Sequence, residues 1–220
     1  WANGEKQHYT ARTDNSFVSD GTLKIVAKRE TYTFEGSRKS FTSARLNSKF
    51  ELEYGRIDVR AKLPSAEGTW PAIWTLGTNV GERGNYHGTT AGTVGWPACG
   101  EIDIMEQDGT DKEKLYGTFH WADASSGQNA SYGLTKTRAV LGIGTPSADF
   151  HLYSLVWSPA TLKIFVDNVL LVQLTNSSSV PFDNPHYLLL NIAMGGTLGG
   201  SIPSSFSQDT MEVDYVRFYQ

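Results

Sequence analysis

Residues 96–107 read Trp-Pro-Ala-Cys-Gly-Glu-Ile-Asp-Ile-Met-Glu-Gln, a run that places three carboxylates among apolar side chains. The isoleucines and the methionine favour a buried strand. Successive side chains of a strand point to opposite faces, so Glu101 and Asp103 share one face while Ile102 and Ile104 face a core. The stretch therefore predicts a strand of a β-sheet that carries acids on its open face.

The third acid does not fit a regular strand. Strict alternation would place Glu106 on the core face, where an unpaired charge is strongly unfavourable. A β-bulge near Ile104 and Met105 adds one residue and returns Glu106 to the face of Glu101 and Asp103. We therefore expect all three acids to line one cleft.

Two glutamates on either side of an aspartate suit the hydrolysis of a glycosidic bond. Hydrolysis with retention needs a nucleophile and an acid/base whose carboxyl groups are about 5 to 5.5 Å apart. Asp103 would hydrogen-bond the nucleophile, and repulsion among the acids would raise one pKa so that a proton is available. The alternative is a solvated acidic edge strand with no catalytic role.

The segment from Gly100 to Glu106 resembles the active-site signature of glycoside hydrolase family 16 in its Glu-x-Asp-x-x-Glu form. This form resembles that of laminarinases, which are endo-1,3-β-glucanases, and also that of agarases and carrageenases; lichenases usually have the shorter Glu-x-Asp-x-Glu. Four further blocks also resemble segments of this family and occur in the same order along the chain as in family members. They are residues 54–64, 68–74, 191–196 and 213–219.

The resemblance implies a fold and a mechanism. The fold would be a β-jelly-roll sandwich of two curved antiparallel sheets, with the substrate cleft across the concave sheet. Glu101 would be the nucleophile, Glu106 the acid/base and Asp103 the residue that supports the nucleophile. Short strands with turn signals and no crossover helices independently indicate an antiparallel sandwich.

Seven residues are candidates for holding the glycan. Two tryptophans four residues apart in an extended segment share a face and would form a stacking platform for sugar rings. Trp96 follows the long predicted loop, and Arg45, His120 and Trp121 lie on other predicted strands. Glu5 belongs to residues 3–10, which resemble the family region that borders the cleft. The candidates are Trp70, Trp74, Trp96, Arg45, His120, Trp121 and Glu5.

Each type of candidate also has a purely structural interpretation. A tryptophan more often packs in a core, a single arginine such as Arg45 often forms a surface ion pair, and a histidine such as His120 is often a structural residue. Pairing of the tryptophans and the family resemblance favour the cleft.

The resemblance also implies a structural calcium ion on the convex side. Its ligands would include the backbone oxygen of Gly21 and the side chain of Asp214, and we expect no cofactor for catalysis. Family members usually carry a further strand with a Trp-x-Asp-Glu-Phe motif before residue 3. We therefore interpret residues 1–220 as a single catalytic domain that lacks the usual N-terminal strand.

Composition excludes several functional classes. Net charge is −4 and charged residues make up 19% of the 220, so no basic surface for nucleic acid or an anionic membrane is expected. No apolar run reaches the roughly 18 residues of a membrane span. The single cysteine, Cys99, cannot form an intrachain disulfide and is interpreted as a packing residue. We expect a secreted or cell-surface monomer, although no signal peptide is visible.

The preferred substrate is less constrained than the chemistry. The bulged motif with Trp96 just upstream resembles that of laminarinases more than that of agarases or carrageenases, which implies a laminarin-like β-1,3-glucan. A sulfated glycan would recruit more cationic side chains. Mixed-linkage glucan, an agar-type galactan, transglycosylation and a non-catalytic lectin remain as alternatives. Pocket shape would depend on three polar stretches that we predict as loops, residues 30–39, 78–95 and 127–144.

Overall fold

The computed structural model describes residues 2–180 and 182–220 and contains two β-sheets with a shared apolar core. The nine-stranded sheet comprises β1 (Gln7–Tyr9), β2 (Ser16–Ser19), β3 (Thr22–Phe34), β4 (Ser37–Ser43), β6 (Gly55–Lys62), β11 (His151–Trp157), β12 (Thr161–Val166), β13 (Val169–Thr175) and β15 (Gln208–Tyr219). The six-stranded sheet comprises β5 (Arg45–Leu52), β7 (Thr69–Gly77), β8 (Glu101–Gln107), β9 (Lys114–Ala122), β10 (Asn129–Thr137) and β14 (His186–Met194). The helical elements are α1 (Arg138–Leu141), α2 (Gly196–Gly199) and a 3-10 turn at Gly88–Ala91.

Both sheets combine pairs of strands that are consecutive in sequence with pairs that are distant in sequence. The larger sheet has the order β1-β4-β3-β15-β6-β11-β12-β13, with β2 beside β3, and the smaller has the order β10-β9-β8-β7-β14-β5. Strands β1 and β4 are parallel, and the other described pairs are antiparallel. The predicted all-β antiparallel sandwich is confirmed. No helix in the described part of the chain is both long enough and apolar enough to cross a membrane.

The core lies between the two sheets and follows from two-residue alternation. In β6, Ile57 and Val59 are completely buried, and Ile102 and Ile104 of β8 are buried in the same cluster. Strand β14 is buried at all nine positions. Its two faces pack differently, because one joins this main core and the other contributes to a second, smaller cluster.

The second cluster lies beneath the long loop of residues 78–95. It consists of Leu76, Val80, Cys99, Tyr187 and Leu189. Burial raises the pKa of the Cys99 thiol to about 12, which keeps the thiol protonated and unreactive. The packing role that the sequence predicted for this cysteine is confirmed.

Two of the three stretches predicted as loops contain regular structure. Strands β3 and β4 continue through residues 30–39 and leave a short turn at Glu35 and Gly36. Residues 127–144 include the whole of β10 and α1. The predicted hairpin at residues 30–39 is therefore present, with a shorter loop than expected. The prediction for residues 127–144 was wrong because β10 is an edge strand whose side chains are mostly exposed, so it carries no apolar alternation.

An ion-pair network on the nine-stranded sheet gives a test of this part of the fold. Glu212 lies 2.8 Å from Lys24 Nζ and 2.7 Å from Lys62 Nζ. Hydrogen bonds from these lysines lower the pKa of Glu212 to about 2. A depressed carboxyl pKa adds stability above the unfolded value of about 4.3, and this is lost as pH falls toward about 2.

We therefore expect Glu212→Gln to lower the Tm at pH 7 by a few degrees, because partly exposed ion pairs contribute on the order of 1 kcal/mol. The difference should shrink as pH falls below 4 in thermal unfolding followed by circular dichroism. A deficit that is the same at pH 7 and pH 2.5 would contradict the assigned charge interaction.

Candidate active site

Strand β8 carries the three acids and is bulged where the sequence predicted. Along the edge shared with β7, Asp103 pairs with Trp74 and Met105 pairs with the adjacent Ile73, so Ile104 is the extra residue. The register with β9 shifts over the same stretch. The predicted bulge is confirmed, and it turns the last acid back to the face of the first two.

All three acids line one cavity on the open face of the six-stranded sheet, with a volume of about 270 Å³. Asp103 is 4% exposed, and the two glutamates are partly exposed. Six of the seven glycan-binding candidates lie in or against this cavity. The described side chains around the acids are Ala2, Asn3, Glu5, Tyr9, Arg45, Trp70, Ala72, Trp74, Trp96, Asn191 and Ala193.

Burial and mutual repulsion raise the pKa values of the acids. Burial raises the pKa of Glu101 well above its usual range, and the charge of Asp103 adds to the effect. Burial also raises the pKa of Asp103 strongly, with a further contribution from the charge of Glu106. The pKa of Glu106 is raised by burial as well. The carboxyl groups of Glu101 and Asp103 share a hydrogen bond, so a proton is retained in the cluster at a pH where isolated acids would be ionised.

Two tryptophans donate hydrogen bonds to the two glutamates. Trp70 Nε1 lies 2.8 Å from Glu106 Oε1, and Trp96 Nε1 lies 3.1 Å from Glu101 Oε2. Each donor favours the ionised carboxylate and opposes the effect of burial on its pKa. The indoles therefore border the cavity and tune the acids at the same time.

His120 lies on β9, beside the acids, as the sequence predicted. Its Nε2 is 3.4 Å from Asp103 Oδ2, its Nδ1 is 3.3 Å from Asn129 Oδ1, and its ring centroid is 5.9 Å from that of Trp96. One ligand atom each from Glu101, Asp103 and His120 lies within 4.8 Å of the other two. These three side chains could hold a cation by their chemistry.

A chain of hydrogen bonds crosses the floor of the cavity and includes residues that the sequence analysis did not select. Trp74 Nε1 donates to Asn191 Oδ1 at 2.7 Å, and Asn191 Nδ2 donates to Tyr9 Oη at 2.9 Å. Tyr9 Oη in turn donates to Glu5 Oε2 at 3.3 Å. Asn191 could have been found as the single polar residue in the apolar run 187–193, and Tyr9 as a member of residues 3–10, which resemble the family region that borders the cleft.

Arg45 lies against the tryptophan platform. Its guanidinium carbon is 4.8 Å from the ring centroid of Trp74, and Arg45 NH2 forms a 2.6 Å ion pair with Glu82 Oε1. Trp70 and Trp74 both line the cavity, so the expected shared face is confirmed. Arg45 combines the cleft position and the ion pair that the sequence analysis treated as alternatives.

Trp121 lies elsewhere and requires a correction. It packs against the main core, with its ring centroid 6.3 Å from that of Phe182. Adjacent residues of a strand point to opposite faces, so Trp121 cannot share the cleft face with His120. The structure therefore gives no support to its predicted contact with the glycan.

The two residues expected to bind calcium belong to the nine-stranded sheet and to one of its turns. Arg60 NH1 lies 2.5 Å from Asp214 Oδ2, so the carboxylate of Asp214 already has a cationic partner. Gly21 lies in the turn between β2 and β3. Within the described ranges, the only group of three or more histidine, cysteine or acidic side chains close enough to hold a metal is the one in the cleft. Calcium binding at Gly21 and Asp214 stays a prediction and enters no later step.

Comparison with known proteins agrees with this geometry. The model of the family described as Glycosyl hydrolases family 16 matches residues 3–217. The chain belongs to this family. The hydrolases of family 16 need no cofactor for catalysis, and the sandwich is a jelly roll like those of its structural neighbours.

Three relatives illustrate the similarity. The crystal structure of LamAcat from Zobellia galactanivorans is 58% identical, with a TM-score of 0.95 over 100% of this chain and 86% of that one. The "Beta-glucanase" of Rhodothermus marinus is 39% identical over 100% of this chain and 76% of its own length. The "Glucan endo-1,3-beta-glucosidase A1" of Niallia circulans is 36% identical over 100% of this chain, which spans 33% of that protein.

The raised acid pKa values predict a gain in stability when one acid is neutralised. A carboxyl group whose pKa is raised by folding destabilises the folded state progressively as pH rises above the unfolded value of about 4.3. We expect Glu101→Gln to raise the Tm at pH 7 by about 2 to 4 °C for each 1 kcal/mol relieved. The gain should become small at pH 4.

Calorimetric scans at the two pH values measure this difference. Glu212→Gln is the matched control, because it removes a carboxylate whose pKa is lowered and should shift the Tm at pH 7 in the opposite direction. A lower Tm for Glu101→Gln at pH 7 would contradict the electrostatic account of the cleft.

Proposed function

We propose that this domain hydrolyses internal β-1,3-glucosidic bonds of laminarin-like β-glucans with retention of configuration. One observation carries the proposal: the bulge in β8 brings Glu101, Asp103 and Glu106 together on the floor of an aromatic cavity. Support comes from relatives whose names describe endo-1,3-β-glucanases. A variant of the Zobellia protein has been crystallised with laminaritriose and laminaritetraose.

In the first step, Glu101 attacks the anomeric carbon as its bond to the leaving oxygen breaks. Glu106 gives its proton to that oxygen, so the leaving sugar departs as a neutral alcohol. Asp103 supports Glu101 through their shared hydrogen bond. The product of this step is a glycosyl ester on Glu101.

In the second step, water replaces the ester. The Glu106 carboxylate takes a proton from water as the water oxygen bonds to the anomeric carbon and the bond to Glu101 breaks. The enzyme returns to its starting protonation state. A raised pKa of Glu106 suits both roles, because the acid must be protonated first and ionised later.

The substrate class follows from the cavity walls. Trp70, Trp74 and Trp96 offer indole rings to the apolar faces of pyranose rings, while Arg45 and Asn191 offer polar groups to hydroxyls. The excess of acids over cations around the cavity disfavours sulfated glycans. Because polymeric glucan lies outside cells, we also propose that the domain acts as a secreted or cell-surface monomer.

Reducing-end release tests the proposal on laminarin, mixed-linkage β-glucan and agarose, with native protein beside Glu101→Ser. We expect the largest kcat/KM on laminarin, early release of oligosaccharides longer than two units, and at least a 10³-fold loss in the variant, because no nucleophile remains. Binding of laminarin without release by native protein would instead favour a lectin.

The indole donors predict a change in the pH profile. Trp70→Phe removes the hydrogen bond that favours ionised Glu106, so the pKa of this acid should rise. The alkaline limb of kcat/KM on laminarin should move up by roughly half to one pH unit. Trp74→Phe is the matched control, because the indole N–H that it removes donates to Asn191 and not to Glu106. The alkaline limb of this variant should stay in place. Equal shifts in both variants would contradict the assigned role of Trp70.

A further inference from the structure

The loop of residues 78–95 is firmly attached to the open face of the six-stranded sheet. Val80 and Val94 form a parallel bridge between its two legs, and Val80 belongs to the second apolar cluster. Asn47 of β5 donates to the backbone oxygen of Gly84 at 2.9 Å. The loop therefore has a defined position relative to the cleft, which allows one of its side chains to act on the site.

Glu82 is the loop residue that reaches a cleft side chain. One oxygen, Oε1, accepts hydrogen bonds from Arg45 NH2 at 2.6 Å and from Tyr187 Oη at 2.5 Å. The side chain of Arg45 is 11% exposed and that of Glu82 is 23% exposed. Tyr187 is completely buried and belongs to the second cluster, so it anchors the carboxylate from a rigid base.

This ion pair orients Arg45. A guanidinium can hydrogen-bond in many directions, and a long side chain loses considerable rotamer entropy when it is held in one place. With one nitrogen held by Glu82, the guanidinium lies over Trp74. The arginine and the indole thus form one preorganised surface along the cavity wall.

We propose that Glu82 is a positioning residue, which holds Arg45 on Trp74 and so builds a rigid sugar subsite for β-glucan at the edge of the cleft. Glu82 does not line the cavity and acts through Arg45. This inference rests on the proposed glucan-binding function. It assigns loop 78–95 a direct role in substrate affinity.

The subsite should affect binding rather than chemistry. Arg45 and Trp74 would contact sugar in the ground state and in the transition state to a similar degree, and such uniform binding changes KM more than kcat. We therefore expect Glu82→Ala to raise KM for laminarin about 10-fold with kcat within about twofold of native. Glu82→Gln keeps an acceptor oxygen for both donors and should restore KM to within about threefold of native.

A double-mutant cycle tests whether Glu82 acts through Arg45. We expect Arg45→Ala to raise KM at least as much as Glu82→Ala, and the double variant to be no worse than Arg45→Ala alone. Glu51→Gln is the matched control, because Glu51 anchors the same loop through a 3.0 Å contact with His87 and does not touch Arg45. Its kcat and KM should match the native values.

The outcomes separate this inference from the function on which it rests. Additive KM effects in the double variant, or a fall in kcat with unchanged KM, would overturn the positioning role. If Glu82→Ala does not fold, Glu82→Asp replaces it, since a shorter acid cannot reach both partners and should also raise KM. If native protein releases no reducing ends, the hydrolase proposal fails. Calorimetry with laminaritetraose then tests Glu82 directly, and we expect Glu82→Ala to bind with a roughly 10-fold weaker Kd. An unchanged Kd would overturn the inference.

Discussion

The site depends on keeping three like-charged acids together on one largely buried strand. Burial and repulsion both favour protonation of Glu101, Asp103 and Glu106. The bulge in β8 makes this arrangement, because without the extra residue one acid would lie on the core face. The arrangement lowers the stability of the folded state, and it produces a cluster that can hold and transfer a proton.

The surrounding sheet limits that electrostatic penalty without removing it. Indole donors from Trp70 and Trp96 meet the two glutamates, and His120 approaches Asp103 from the next strand. These groups come from β7, from the segment just before β8 and from β9, and both β7 and β9 border β8. Neighbouring strands therefore supply the donors, while the apolar core behind β8 keeps the site rigid.

The cleft wall is built from parts of the chain that are distant in sequence. Asn191 of β14 joins Trp74 of β7 to Tyr9 near the N-terminus, and Glu82 joins the loop to Arg45 of β5. Each contact links elements that are brought together by the arrangement of strands in the two sheets. The geometry of this part of the cavity therefore depends on the strand order of both sheets.

Local pattern was sufficient for the all-β class, the acid strand and its bulge, and the shared face of Trp70 and Trp74, because alternation is a property of adjacent residues. The same rule, applied to Trp121 beside His120, would have placed that indole in the core. Strand β10 escaped prediction because an exposed edge strand has no apolar alternation. The partnership of Glu82 with Arg45 was decided only by the tertiary structure, since strand order sets which distant residues meet, and the sequence spacing between them carries no trace of that order.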